Sequence, residues 1–177
     1  MSAPKQAQRK YELTDETRVV EGRTVRRIRY LTDVCEAGCT SLSAKKGQLG
    51  GFIESERNLS HLGRCVVLDD AVVCERATVI GDSVVKDKVI ISGQAIIASS
   101  RVEDEARVSG RAVLDQSSVS GIISVNADVV LSHIGWDYYS SGNGNEGEIL
   151  TRAAHRAQNR ESIALYGRHQ LETLEVA

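Results

Sequence analysis

Histidine, cysteine and serine are the side chains through which this chain would do covalent or metal chemistry, and their neighbours limit what they can do. Of the 4 histidines, His133 stands in Ser132-His133-Ile134-Gly135-Trp136, beside an aromatic and at the end of a regular pattern. An imidazole that titrates near neutrality can take a proton from an acceptor hydroxyl or amine, which makes His133 the candidate catalytic base. The structural alternative is a residue that caps the end of a repeat. His61 is expected to pack under an N-terminal cap, and His155 and His169 to lie on the solvated side of a C-terminal tail. The 4 cysteines are Cys35, Cys39, Cys65 and Cys74. Cys-x3-Cys followed by a pair nine apart is not the spacing of a zinc site, where four ligands must converge on one ion, and no metal is expected. Gly47 to Gly51 lacks the Lys-Ser/Thr ending of a phosphate loop and reads as a tight structural entry. No pattern marks a cofactor site, and no cofactor is expected.

The elements that must position these groups follow from a six-residue beat. Between Cys65 and Leu131 an aliphatic residue recurs at Val67, Val73, Val79, Val85, Ile91 and Ile97, then at Val102, Val108 and Leu114, then at Val119, Val125 and Leu131. Small or aliphatic residues sit two positions earlier, for example Ala71, Ala77, Ala95, Ala106 and Ala112. A spacing of two puts both residues on one face of a short strand. Corners such as Asp69-Asp70, Gly81-Asp82, Gly93-Gln94 and Gly110-Arg111 hold turn residues. Strands this short bury a core only by stacking, so three hexads form a triangular coil, with neighbouring coils roughly 4.8 Å apart. Two steps are five residues long, Ile97 to Val102 and Leu114 to Val119. Both fall at the same corner of successive coils. The first wall then reads Val79, Ile97, Leu114, Leu131. The second reads Val67, Val85, Val102, Val119, and the third Val73, Ile91, Val108, Val125. A polar column, Cys65, Ser83, Ser100 and Ser117, precedes the second wall. It reads as corner-filling with hydroxyls bonded to backbone, since a catalytic serine or thiol there would be walled in.

Composition narrows the function. Lys+Arg 22 against Asp+Glu 24 leaves a net charge of -2. No basic stripe runs along the repeat and only 4% of residues are aromatic, which argues against nucleic-acid binding. No apolar run approaches a membrane span and the N-terminus is polar, so no membrane partner is expected. Cysteines without a disulfide framework point to reduced thiols and a cytoplasmic location.

The chain divides into a flexible tail over 1–10, a β-rich cap over 11–64, a β-helix over 65–136, and a loop with a helical tail over 137–177. In the cap, Thr17 to Leu31 reads as a hairpin, although Val25, Ile28, Tyr30 and Leu31 do not alternate cleanly. The cap would cover a solenoid end that is otherwise an open strand edge. In the tail, Ile149, Leu150, Ala153, Ala154, Ala157 and Ala164 share one side of a helix.

Lys10-Tyr11-Glu12-Leu13-Thr14, Gly22-Arg23, Arg27-Ile28, Leu49-Gly50-Gly51-Phe52-Ile53-Glu54, Asn58-Leu59-Ser60-His61 and the hexads together resemble phage and prophage hexapeptide-repeat proteins, often labelled transferases by fold alone. The resemblance covers residues 10–131, and its most specific part runs from the Gly-Gly-Phe-Ile-Glu segment to Leu-Ser-His. The hexads and their flanks read as an all-β solenoid, a parallel β-helix of about four coils with an N-terminal β cap and a C-terminal helix; the resemblance implies that the β-helix is left-handed and that the context is a phage one, in the host cytoplasm. It implies no reaction.

Outward positions carry the functional expectation. Ile80, Ile96, Val113 and Val130 point away from the core on the first wall, and an exposed apolar strip marks a contact surface. Val66, Val84, Val72 and Ile90 face outward on the early coils of the other walls, where later coils carry Arg101, Arg107, Ser118 and Ser124. Either the C-terminal helix or another subunit covers the strip, and a homo-oligomer, with a trimer as the number considered, is the expected assembly. The leading expectation is a non-catalytic protein-binding module of phage type that acts on a host factor or host defence component. The alternatives are an acyltransferase with an intersubunit active site served by His133, as the resemblance to left-handed β-helix acyltransferases implies, and a structural component of a phage particle.

Overall fold

The computed structural model describes residues 9–35, 42–126, 128–133 and 135–137. Their architecture is a parallel β-solenoid of about five turns. Among the described residues the one helix is a 3-10 turn at Glu56–Asn58, and no helix is long and apolar enough to cross a membrane. The C-terminal helix expected after residue 137 lies outside the described residues.

The hexads stack as their spacing requires. Val79, Ile97, Leu114 and Leu131 are register partners on the first wall. Val67, Val85, Val102 and Val119 pair on the second, and Val73, Ile91, Val108 and Val125 on the third. Every one of these side chains is buried, as are the alanines two positions earlier. Alternation within each strand sends both to the same interior.

The shortened corner keeps one left-handed residue and drops its neighbour. Gly81-Asp82 becomes Ser99 alone, then Gln116, then His133, at φ of 68°, 45°, 47° and 56°. Trp136 continues the second wall opposite Val119, a third step of five. At the next corner Asp69, Asp87 and Asp104 hold positive φ, a conformation that Asp tolerates because its short side chain bonds locally. Their carboxylates form a ladder: the Asp104 amide donates to Asp87 Oδ2 at 3.2 Å and the Gly121 amide to Asp104 Oδ2 at 2.8 Å.

An earlier turn precedes the hexads. Strands β1 (Tyr11–Val20) and β2 (Arg23–Tyr30) form a hairpin, β3 (Val34–Cys35) and β4 (Leu42–Ala44) a short ladder, and β5 (Leu49–Ile53) joins β2 on one side and Val72–Val73 on the other. Ile53 pairs with Val73 and Leu59 with Val79, so the first rung sits twenty residues below the second. The two extra residues, His61 and Leu62, lie between Ser60, whose amide bonds to Val79 O, and Arg64, whose amide bonds to Gly81 O. Gly51 is required here: a Cβ would stand 2.5 Å from the Ala71 carbonyl oxygen.

Strand β2 buries both faces, which explains its irregular sequence. Ile28 and Tyr30, with Tyr11 and Leu13 of β1, close the end of the solenoid core. Val25, on the opposite face, packs with Phe52, Val72 and Cys74 outside the third wall. The guanidinium groups of Arg18 and Arg27 lie 4.2 and 4.3 Å from the Phe52 ring centre, and Glu21 at the hairpin tip pairs with Arg107 two coils further on.

The cap also completes the first rung's hydrogen bonds with side chains. The Tyr30 hydroxyl donates to the Val67 carbonyl at 3.0 Å and accepts from the Val67 amide at 2.9 Å. The Tyr11 hydroxyl donates to Leu59 O at 2.7 Å. These groups take the place of the strand that the open edge lacks.

Candidate functional site

The outer face of the first wall is built by the strands Thr78–Ile80, Ile96–Ala98, Val113–Asp115 and Val130–Ser132. Register places Thr78, Ile96, Val113 and Val130 in one row up the sheet. Ile80 stands in the neighbouring row, which continues through Ala98 and then turns polar at Asp115 and Ser132. Ile80, Ile96, Val113 and Val130 are all half-buried; Ile96, Val113 and Val130 form a contiguous row of three, with Ile80 beside its start. Neighbouring rungs lie roughly 4.8 Å apart, which makes the row a stiff, narrow apolar ridge.

Its borders are polar. On one side Arg111 forms a bidentate ion pair with Asp128 of the next coil. The bond from Arg111 holds the Asp128 carboxyl below the usual range. On the other side stand Ser99, Gln116 and His133 of the left-handed corner column.

The other two walls differ. Val72, outward on the third wall, is buried under the hairpin with Cys74 and Val25, and half-buried Ile90 packs against the same cluster. Val66 and Val84, outward on the second wall, are buried as well, in one apolar cluster with Val34 and Ala44 of the β3–β4 ladder. These positions point away from the solenoid interior as the register requires, yet the chain itself closes over them. Hexad spacing carries no signal for this, because the covering segments lie outside the repeat.

His133 is an exposed corner residue. Its amide donates to Asp115 O at 3.1 Å, as Gln116 donates to Ala98 O, and its Nδ1 lies 2.8 Å from the Ser132 hydroxyl. Its backbone role repeats that of Ser99 and Gln116. Among the described residues no carboxylate orients its ring. His61 stacks on Tyr11 with ring centres 4.3 Å apart and accepts the Lys10 amide at Nδ1. Burial holds its pKa below the ordinary histidine value. His155, His169 and Cys39 lie outside the described residues.

The serine column is structural. The Ser83 hydroxyl lies 2.6 Å from Ile80 O and accepts the Ser100 amide, and Ser100 Oγ in turn accepts the Ser117 amide. Cys65 and Cys74 are buried in separate places, Cys65 in the solenoid core and Cys74 beneath the hairpin. Burial, with Glu75 and Glu54 nearby, pushes the Cys74 thiol up to about 11. Among the described residues no three metal-ligating side chains converge.

Two open depressions lie among the described residues. One of about 280 Å³ is lined by Asp87, Lys88, Asp104, Glu105 and Ile122. The other, about 470 Å³, is bounded by Lys10, Asp33, Cys35, His61 and Arg64. Lys10 falls in the segment read as a tail, yet its side chain is buried, with Nζ 2.7 Å from Cys65 O and 3.1 Å from Cys65 Sγ. Fifty-five residues separate the pair, and no local pattern announces it. Comparison with protein-family models and with curated proteins returns no match to this chain.

Proposed function

We propose that the protein is a non-catalytic protein-binding module whose docking surface is the outer face of the first wall. The observation that carries this reading is the contrast between walls. The chain closes over the outward apolar residues of the second wall at Val66 and Val84, and of the third at Val72, whereas Ile80, Ile96, Val113 and Val130 stay half-exposed. A rigid ridge of β-branched side chains loses little conformational freedom on binding, which suits recognition by shape. The resemblance of the repeat and its entry segment to phage proteins supports a left-handed winding, a host cytoplasmic location, and a host factor or defence component as the partner. Self-association through the same strip, as a trimer or another homo-oligomer, belongs to the same reading.

The test is an affinity capture from host cells with the wild type and an Ile96→Asp, Val113→Asp variant, read by mass spectrometry alongside sedimentation of each protein alone. A host protein retained by the wild type and lost by the folded variant is the expected result. Equal retention by both removes the first wall as the docking surface. Acyl-CoA binding that is lost in His133→Ala would replace the binding reading with the transferase one, and incorporation into virions would replace it with a structural one.

A further inference from the structure

We propose that Lys10 and Cys65 form an oxidative cross-link, a single oxygen atom bridging Nζ and Sγ, which ties the segment before β1 to the first coil. The two atoms already stand 3.1 Å apart. Lys10 is 4% exposed and Cys65 0%, and a buried ammonium ordinarily faces a carboxylate. The partners described for Nζ are instead the Cys65 carbonyl and the Cys65 sulfur. The column gives a second indication. Ser83, Ser100 and Ser117 fill the equivalent place in later coils and bond to backbone; Cys65 Sγ also reaches the Ser60 and Leu62 carbonyls, but it is a thiol and stands beside an amine as well. Burial raises the Cys65 thiol pKa, with the Lys10 charge and hydrogen bond acting against it. Lys10 lines the depression of about 470 Å³, so open space reaches the residue that carries the amine.

The co-reactant is dioxygen. The thiol gives up its S–H and the ammonium two N–H hydrogens, one of them released to solvent as a proton, and S–O and O–N bonds form. Sulfur and nitrogen each lose two electrons. Dioxygen accepts all four, one of its oxygens becoming the bridge and the other leaving as water with the remaining two hydrogens. A direct S–N bond would draw Nζ across the whole gap and off the Cys65 carbonyl. An intervening oxygen needs far less movement from a side chain enclosed by protein.

The experiment uses the full chain, purified reduced and divided between anaerobic and air-saturated buffer. Each sample is alkylated, digested and mapped by mass spectrometry. The expected product joins the Lys10 and Cys65 peptides, two hydrogens lighter and one oxygen heavier than their sum. It is reversed by a thiol reductant and is absent from Lys10→Arg and Cys65→Ser. Exposed Cys35 reports that oxidation has occurred. Oxidised Cys35 with Cys65 recovered as a free thiol, or Cys65 carried to sulfinic acid with Lys10 unchanged, overturns the proposal. A cross-link without the oxygen overturns the bridge in favour of a direct bond. The wild-type result is decisive even if a variant fails to fold.

Discussion

Replacing Tyr30 by Phe removes one atom from the junction between cap and solenoid and should cost more than most core truncations of that size. Val66–Val67 is the edge strand of the second wall. The Val66 and Leu68 amides donate to the next coil, which leaves both polar groups of Val67 facing the open end. The Tyr30 hydroxyl satisfies both, and Tyr30 and Val67 are fully buried. Phe keeps the ring and its packing, so the loss is confined to two orphaned backbone groups. At about 1–3 kcal/mol for each buried unsatisfied group, the cost is about 2–6 kcal/mol. Urea denaturation followed by circular dichroism reads it directly, as a fall in midpoint on the order of 1–2 M at an unchanged slope. Tyr11→Phe is the internal comparison, since its single hydroxyl proton is shared by the Leu59 and Glu56 carbonyls and it serves no amide, and about 1–2 kcal/mol is expected from the loss of that one donor. A Tyr30→Phe loss below about 1 kcal/mol, or one smaller than that of Tyr11→Phe, would refute the account of side chains standing in for a missing strand.

The same hydroxyls make the fold sensitive to alkali. Burial raises the Tyr30 and Tyr11 pKa values above that of a free phenol, so the folded state prefers the neutral forms. Their contribution is complete below about pH 10 and declines above it by roughly 1.4 kcal/mol per pH unit for each buried phenol. Stability measured from pH 8 to 11.5 should therefore fall at the top of the range, and the double Phe variant should show a flatter profile. Gly51→Ala should lower the thermal midpoint through overpacking of about 1–3 kcal/mol, because its Cβ would meet the Ala71 carbonyl at 2.5 Å; an unchanged midpoint would show that β5 can move away from the next rung.

Periodicity made the solenoid legible because each coil repeats one local problem. A strand of a few residues has to bury two side chains on one face and then turn. The two five-residue steps set the register, since only one stacking aligns both deletions, and Ser99 and Gln116 occupy that corner. The serine column was readable for the same reason. The first rung was not. Ile53 and Leu59 belong to the walls, but the twenty-residue spacing caused by the extra His61 and Leu62 breaks the beat just where the repeat begins.

What the sequence by itself determined is the set of residues that point inward and the set that point outward, because alternation and stacking are local and repeat at every coil. Which outward residues remain available was decided by tertiary structure alone. Val66, Val72 and Val113 are equivalent in pattern, yet the first two are buried and the third is half-exposed. The difference arises from aperiodic segments, such as the β1–β2 hairpin, folding back over particular walls. The approach of Lys10 to Cys65 has the same origin. Contacts between segments 55 residues apart depend on where the cap comes to rest, and no short-range spacing encodes that placement.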